Sequence, residues 1–98
     1  MSRIDFRLWL KHQGYVDKVS SDICCRIRRI ESVLINNSIS CSIEEEYQKN
    51  LCIDLLNTFY IKKSSPYKNI FMNEGFPIFK HSACVYRSAI KLYIRYLS

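Results

Sequence analysis

The sequence predicts an all-α protein, a compact four- to five-helix bundle with a long loop before its last helix. Three observations carry this. The 98 residues include only two prolines and two glycines, so little of the chain is punctuated for the turns of a β-sandwich. Apolar residues recur at three- and four-residue spacing along most of its length. A composition of 48% hydrophobic and 24% charged residues is that of a folded chain and not of a disordered one. A chain of this length builds one modest core. A single helical domain over 1–98 is therefore expected.

The first helix is expected over residues 3–13, where Ile4, Phe6, Leu8 and Leu10 gather around Trp9 and Gly14 follows as a C-terminal stop. Asp17 opens a second helix reaching about Ile35, whose Val19, Ile23, Ile27, Ile30 and Leu34 fall in one narrow arc. Asn36 and Asn37 end it, because both tolerate the left-handed backbone that helix exits often need. Ser42 followed by Glu45 has the spacing of a capping box. Glu44, Glu45 and Glu46 put negative charge where the helix dipole favours it, so they read as an N-terminal signal and not as a metal site. The i, i+4 series Tyr47, Leu51, Leu55 and Phe59 then predicts one continuous helix to about Lys62 and Lys63. Residues 63–80, with Ser64-Ser65-Pro66 near the start and Gly75-Phe76-Pro77 near the end, are expected to form a long loop with a short helical turn at 69–73. Tyr67, Ile70, Phe71, Phe76 and Phe79 would pin that loop to the core. A last helix is predicted from His81 or Ser82 to the C-terminus.

Several function classes are excluded. The opening MSRIDFRLWLKHQGY has an apolar patch too short and too often interrupted by charge for a signal peptide. No window approaches the roughly 18 apolar residues of a membrane span. An intracellular, cytoplasmic protein without membrane contact is expected. Cys24, Cys25, Cys41, Cys52 and Cys84 are odd in number and irregular in spacing, unlike a secreted disulfide framework. They predict free buried thiols and, with no CxxC pattern, neither a metal nor any other cofactor. His12 and His81 lie far apart, no nucleophile has an activating context beside them, and Gly14 and Gly75 are isolated. No enzyme is expected.

The net charge of +6 is distributed unevenly. Residues 1–54 are neutral overall, whereas Lys62, Lys63, Lys68, Lys80, Arg87, Lys91 and Arg95 stand against Glu74 alone in the remainder. An acidic partner would meet this C-terminal half, though a cationic surface also serves solubility alone. Within it, VYRSAIKLYIRY over residues 85–96 places three tyrosines among three basic residues. On a helical wheel with Tyr86 at zero, Ala89, Ile90, Tyr93, Ile94, Tyr96 and Leu97 fall within about 80° of it, and Arg87, Lys91 and Arg95 at about 100°, 140° and 180°. The tyrosines thus read as core or core-edge residues. The cations form an exposed i, i+4, i+8 row, suited either to phosphates or to a solvated face near a helix C-terminus. Arg26 falls inside the apolar arc of the second helix. Two readings fit it: a pair with Asp22 one turn earlier, or a guanidinium at the mouth of a groove holding a phosphate bidentately.

FRLWLKHQGYVDKVSSDICCRIRRIE resembles the opening of the SAM-like helical core-binding module of tyrosine recombinases and phage integrases, a form of which accompanies some restriction-type nucleases. The resembling features are Phe6, Trp9-Leu10, Gly14-Tyr15, Arg26-Ile27 and Arg29-Ile30. SACVYRSAIKLYIRYL is similar to the closing helix of such modules. The family's module is a small helical bundle that grips duplex DNA, and the resemblance implies DNA contact for Arg26, Arg29 and Arg87. No catalytic domain accompanies it within these residues. The expected function is a non-catalytic grip on the phosphate backbone of duplex DNA by the basic C-terminal half, through Lys62, Lys63, Lys68, Lys80, Arg87, Lys91 and Arg95 with Arg26 and Arg29. The alternative is a small inhibitor or accessory subunit that docks on the acidic surface of a nucleic-acid-handling protein, with Val85 and Leu92 widening its apolar arc. Self-association through the same arc is also compatible with the sequence.

Overall fold

A computed structural model describes residues 3–98, with side chains from Asp5 onward. Six helices follow one another: α1 Arg3–His12, α2 Asp17–Asn36, α3 Ile43–Asn50, α4 Ile53–Thr58, α5 Lys68–Asn73 and α6 Ala83–Leu97. The described residues contain no strand. The helical bundle is as expected, with one helix more than the sequence predicted. Helix α6 is its centre, and α1, α2 and α4 all pack against it.

The apolar stripes explain this arrangement. Phe6 and Leu10 of α1, Ile23, Ile27, Ile30 and Leu34 of α2, and Ala83, Ala89, Ile90 and Tyr93 of α6 are all buried. Ile4, expected in the same stripe, has a side chain outside the described residues. Val19 departs from the expected α2 stripe and is 40% exposed. Gly14 closes α1 with φ +100°, a value that disfavours any side chain. Lys11 then bonds Asp17 across that turn at 2.8 Å. The hydrogen bond and charge of Lys11 hold the Asp17 carboxyl below its usual range.

The continuous helix expected from Ser42 to Lys63 is broken in two. Leu51 and Cys52, with φ 58° and 62°, are both left-handed. Neither is a glycine or an asparagine, so no residue type announces the break. It turns Leu51 outward and brings Cys52 into the core, where its Sγ lies 3.7 Å from the carbonyl of Ile43. Leu55 and Phe59 of the second segment keep their predicted burial. Since the Leu51 side chain is largely exposed, Leu51→Gly is expected to relieve backbone strain and raise stability by about 0.5 kcal/mol. Denaturant unfolding would register this as a higher midpoint at unchanged slope.

The glutamates at the start of α3 do more than mark a helix end. Glu45 accepts the amide of Cys41 at 3.2 Å while Ser42 accepts that of Glu45 at 3.2 Å, a capping box shifted by one residue. Glu46 is fully buried and accepts hydrogen bonds from Tyr67 at 2.8 Å, Lys49 at 3.0 Å and the Ser40 hydroxyl. Burial pushes its carboxyl upward, but the donors Ser40, Lys49 and Tyr67 together outweigh this and hold it below the ordinary value. Glu44 accepts the Tyr93 hydroxyl at 2.7 Å, and Glu31 accepts the Ile43 amide at 3.2 Å. Three carboxylates therefore tie α3 to α2, α6 and the residue preceding α5.

The 63–80 connection is pinned as expected by Tyr67, Phe71 and Phe76, all buried, but Phe79 is 60% exposed. Ser65 reinforces it by donating to the Asp54 carbonyl at 2.8 Å and accepting the Tyr67 amide at 3.1 Å. All five cysteines are free. Cys24 and Cys52 are buried, whereas Cys25, Cys41 and Cys84 are exposed, which corrects the expectation of uniformly buried thiols. Burial, followed by the charges of Glu46 and Glu44, pushes the Cys52 thiol up to about 12. No helix among the described residues is long and apolar enough to cross a membrane.

Candidate nucleic-acid interface

Helix α6 separates its rings from its cations much as its periodicity predicts. Tyr86 and Tyr93 are buried, and Tyr96 is half-buried against Phe6 and Trp9. Two aromatic clusters form along it, Phe59, Phe71, Phe76 and Tyr86 near its start and Phe6, Trp9, Tyr93 and Tyr96 near its end. Arg87, Lys91 and Arg95 lie on the other flank, spanning roughly 12 Å at the helical rise.

The ends of this row are held in place by rings from other elements. The guanidinium of Arg87 lies 4.6 Å from the centre of the Tyr60 ring, and that of Arg95 lies 5.7 Å from Trp9. Such contacts reduce the number of conformations a long cationic side chain loses when it meets a ligand. Lys91 is exposed between them.

At its N-terminal half α6 is flanked by two concave sites. One is a cleft of about 200 Å³ between the end of α4, the residues preceding α6 and α6 itself. Lys62, Lys80, His81 and Arg87 line it together with Tyr60, and no carboxylate does. The other is a groove of about 440 Å³ between α2 and α6, lined by Arg26, Arg29, Asp22 and Tyr86 among others. The two lie on opposite sides of α6, since residues 82, 85 and 86 line the groove while 83, 84 and 87 line the cleft.

Arg29 is anchored within the groove by donating to the Tyr86 hydroxyl, and its guanidinium lies 4.9 Å from the Phe76 ring and 5.5 Å from Tyr86. Arg26 is half-buried at the groove wall. Of its two readings, pairing with Asp22 is not the arrangement found: the Asp22 carboxylate takes Lys18 at 3.2 Å.

Lys68 and Lys63 stand apart from this constellation. The Lys68 ammonium donates to the carbonyl of Tyr60 at 2.9 Å and approaches that of Ile61 at 3.5 Å, with the Phe79 ring 5.3 Å away. Its charge satisfies backbone acceptors after α4, so its structural use competes with any ligand. Lys68→Met is expected to cost about 1 kcal/mol of stability and to leave DNA affinity within twofold, as paired unfolding and binding titrations would show. Lys63 is exposed and lines neither concavity. Among the described residues no ion pair engages Lys62, Lys80, Arg87, Lys91 or Arg95, and the pairs present are Lys11–Asp17, Lys18–Asp22 and Lys49–Glu46.

Tyr60 and His81 belong to the cleft but were not singled out as site residues from sequence. Position 81 adjoins Lys80, which is a weak signal. Tyr60 had none, since its placement depends on the break at Leu51 and Cys52. Fold and site together define a small helical protein with one cationic helix face flanked by two basic concavities. Compared with family models, curated proteins and solved structures, the chain finds no match.

Proposed function

We propose that the protein is a non-catalytic DNA-binding module that holds the phosphate backbone of duplex DNA along α6. The observation that carries this is the gathering of Lys62, Lys80, Arg87, Lys91 and Arg95 on one side of α6 without carboxylate partners, two of them steadied on aromatic rings. Unpaired cations at fixed positions neutralise phosphates and release condensed counterions, and they do so without reading sequence. The likeness of the two ends of the chain to the core-binding module of tyrosine recombinases agrees with the same use, and adds Arg26 and Arg29 on the α2 side. Such a partner places its work inside a cell. Titration of a labelled duplex between about 50 and 200 mM salt is expected to show affinity falling with a log–log slope of roughly −4 to −5, as about five phosphate contacts on the row side of α6 require. No binding at low salt, or an affinity indifferent to salt, would overturn the proposal.

A second reading, docking on an acidic protein, is favoured by one feature. Tyr60, Ile61 and Phe79 are 37%, 46% and 60% exposed beside the cations, which gives that side an apolar component. A stoichiometric protein partner that remains bound after nuclease treatment and is displaced by Phe79→Ser would favour it over DNA.

A further inference from the structure

We infer that the cleft at the start of α6 takes a terminal phosphate of a DNA strand, a phosphomonoester, as distinct from the bridging phosphates that cross the α6 row. This rests on the DNA-binding reading and specifies what one part of that surface recognises. Three features point to it.

The first is the way the cations are arranged. Arg87, Lys91 and Arg95 lie along a convex helix, the form that a continuous backbone can cross. Lys62, Lys80 and Arg87 come instead from three separate segments and line one concavity of about 200 Å³. Donors that surround a space suit a group that protrudes, and a strand protrudes at its end.

The second is charge. A phosphomonoester carries about −1.5 to −2 at neutral pH, with three acceptor oxygens, whereas a bridging phosphodiester carries a single charge. The cleft supplies the cationic side chains of Lys62, Lys80 and Arg87 and the ring N–H of His81, and no carboxylate lines it. This is more positive charge than one diester would neutralise.

The third is the apolar wall. Tyr60 and Ile61 line the same cleft and are exposed. Inside a duplex every base is covered on both faces by its neighbours, and only the last pair presents an open face to a ring or an aliphatic chain. A cationic cleft with an apolar wall therefore matches a phosphate and the base that follows it at an end.

The test compares DNA hairpins of one sequence, labelled in the loop, whose single open end carries a 5′-phosphate, a 3′-phosphate or hydroxyls only, with a closed dumbbell that has no end. One of the two phosphorylated hairpins is expected to bind about tenfold more tightly than the hydroxyl form, the gain from several charge-assisted hydrogen bonds. The arm that gains identifies which strand end is held. Lys80→Gln, at an exposed position, and Arg87→Gln should each abolish most of that difference, read as the affinity ratio of the phosphorylated to the hydroxyl hairpin, in which any loss of backbone affinity common to all the DNAs cancels. Equal affinity for all three hairpins, with the dumbbell also bound, would overturn the inference and leave backbone binding intact. Failure of every DNA to bind at low salt would overturn both. A preference that survives Lys80→Gln and Arg87→Gln together would place the phosphate elsewhere and overturn the cleft assignment.

Discussion

Glu46→Ala is expected to destabilise the protein by about 3 kcal/mol, a fall of about 15 °C in Tm for a chain of this length. The carboxylate is buried, and three donors from different parts of the chain converge on it: Ser40 before α3, Lys49 within α3 and Tyr67 before α5. Removing it leaves the Tyr67 and Ser40 hydroxyls without their acceptor in a buried place, and each such orphan costs more than its hydrogen bond contributed. Lys49 can turn to solvent, so its part of the loss is small. Glu46→Gln keeps an acceptor oxygen and should lose less than the alanine variant.

The same site predicts an acid limit to stability. The Glu46 carboxyl titrates lower in the folded state than its ordinary value of 4.5. Its contribution is fully present above that value and is lost as pH falls through the depressed folded one. Wild type should therefore lose stability relative to Glu46→Gln as pH is lowered from about 4.5. Parallel urea titrations at several acidic values would show the two converging. A constant difference between them across that range would be incompatible with an ionised Glu46 in the folded state.

The combined variant Arg87→Gln, Lys91→Gln and Arg95→Gln is expected to weaken duplex binding on the order of a hundredfold at about 0.1 M salt, and to reduce the magnitude of the salt slope by about three. Each cation is assigned one phosphate, so the slope counts what was removed whatever the remaining affinity. Glutamine keeps most of the aliphatic stem but lacks the guanidinium that rests on Tyr60 and Trp9. A modest stability loss of about 1 kcal/mol is therefore expected from the two arginine positions. Relief of repulsion along the i, i+4 row partly offsets it. An unchanged slope in a folded variant would remove these three residues from the interface. Substituting Lys63 and Lys68 by glutamine provides the contrast: Lys68 is committed to backbone carbonyls and Lys63 lies outside both concavities, so the slope should change by less than one.

Much of the fold was legible before any contact was known, because helix periodicity is a local property. The limits of α1, α2 and α6 agree with expectation to within one or two residues, and the short α5 lies where Asn69 to Asn73 suggested. The separation of tyrosines from cations on α6 follows from its 3.6-residue repeat and was correct for Tyr86 and Tyr93. The break between α3 and α4 was not legible. Leu51 and Leu55 continue the apolar series across it, and its cause is tertiary: the left-handed pair brings Cys52 into the core and carries Phe59 to the cluster around Tyr86. Phe79 does not pin the loop: its ring lies outside the core, 5.3 Å from the Lys68 ammonium, whereas Phe71 and Phe76 are buried.

The candidate site divides along the same line. By itself the sequence determined an all-helical chain, a C-terminal half bearing the whole net charge, and a row of Arg87, Lys91 and Arg95 facing away from the core. Composition and repeat are properties of residues in order and need no partner to be read. Only the tertiary structure decided that Lys62, Lys80 and His81 join Arg87 around one cleft, that Arg29 is held on Tyr86, and that Lys68 is occupied by backbone carbonyls. It also showed Glu46 to be a buried junction of the fold and not simply the third acid of a helix start. Each of these depends on residues far apart in the chain meeting through packing, and the energy of such meetings is not written in the spacing of any one segment.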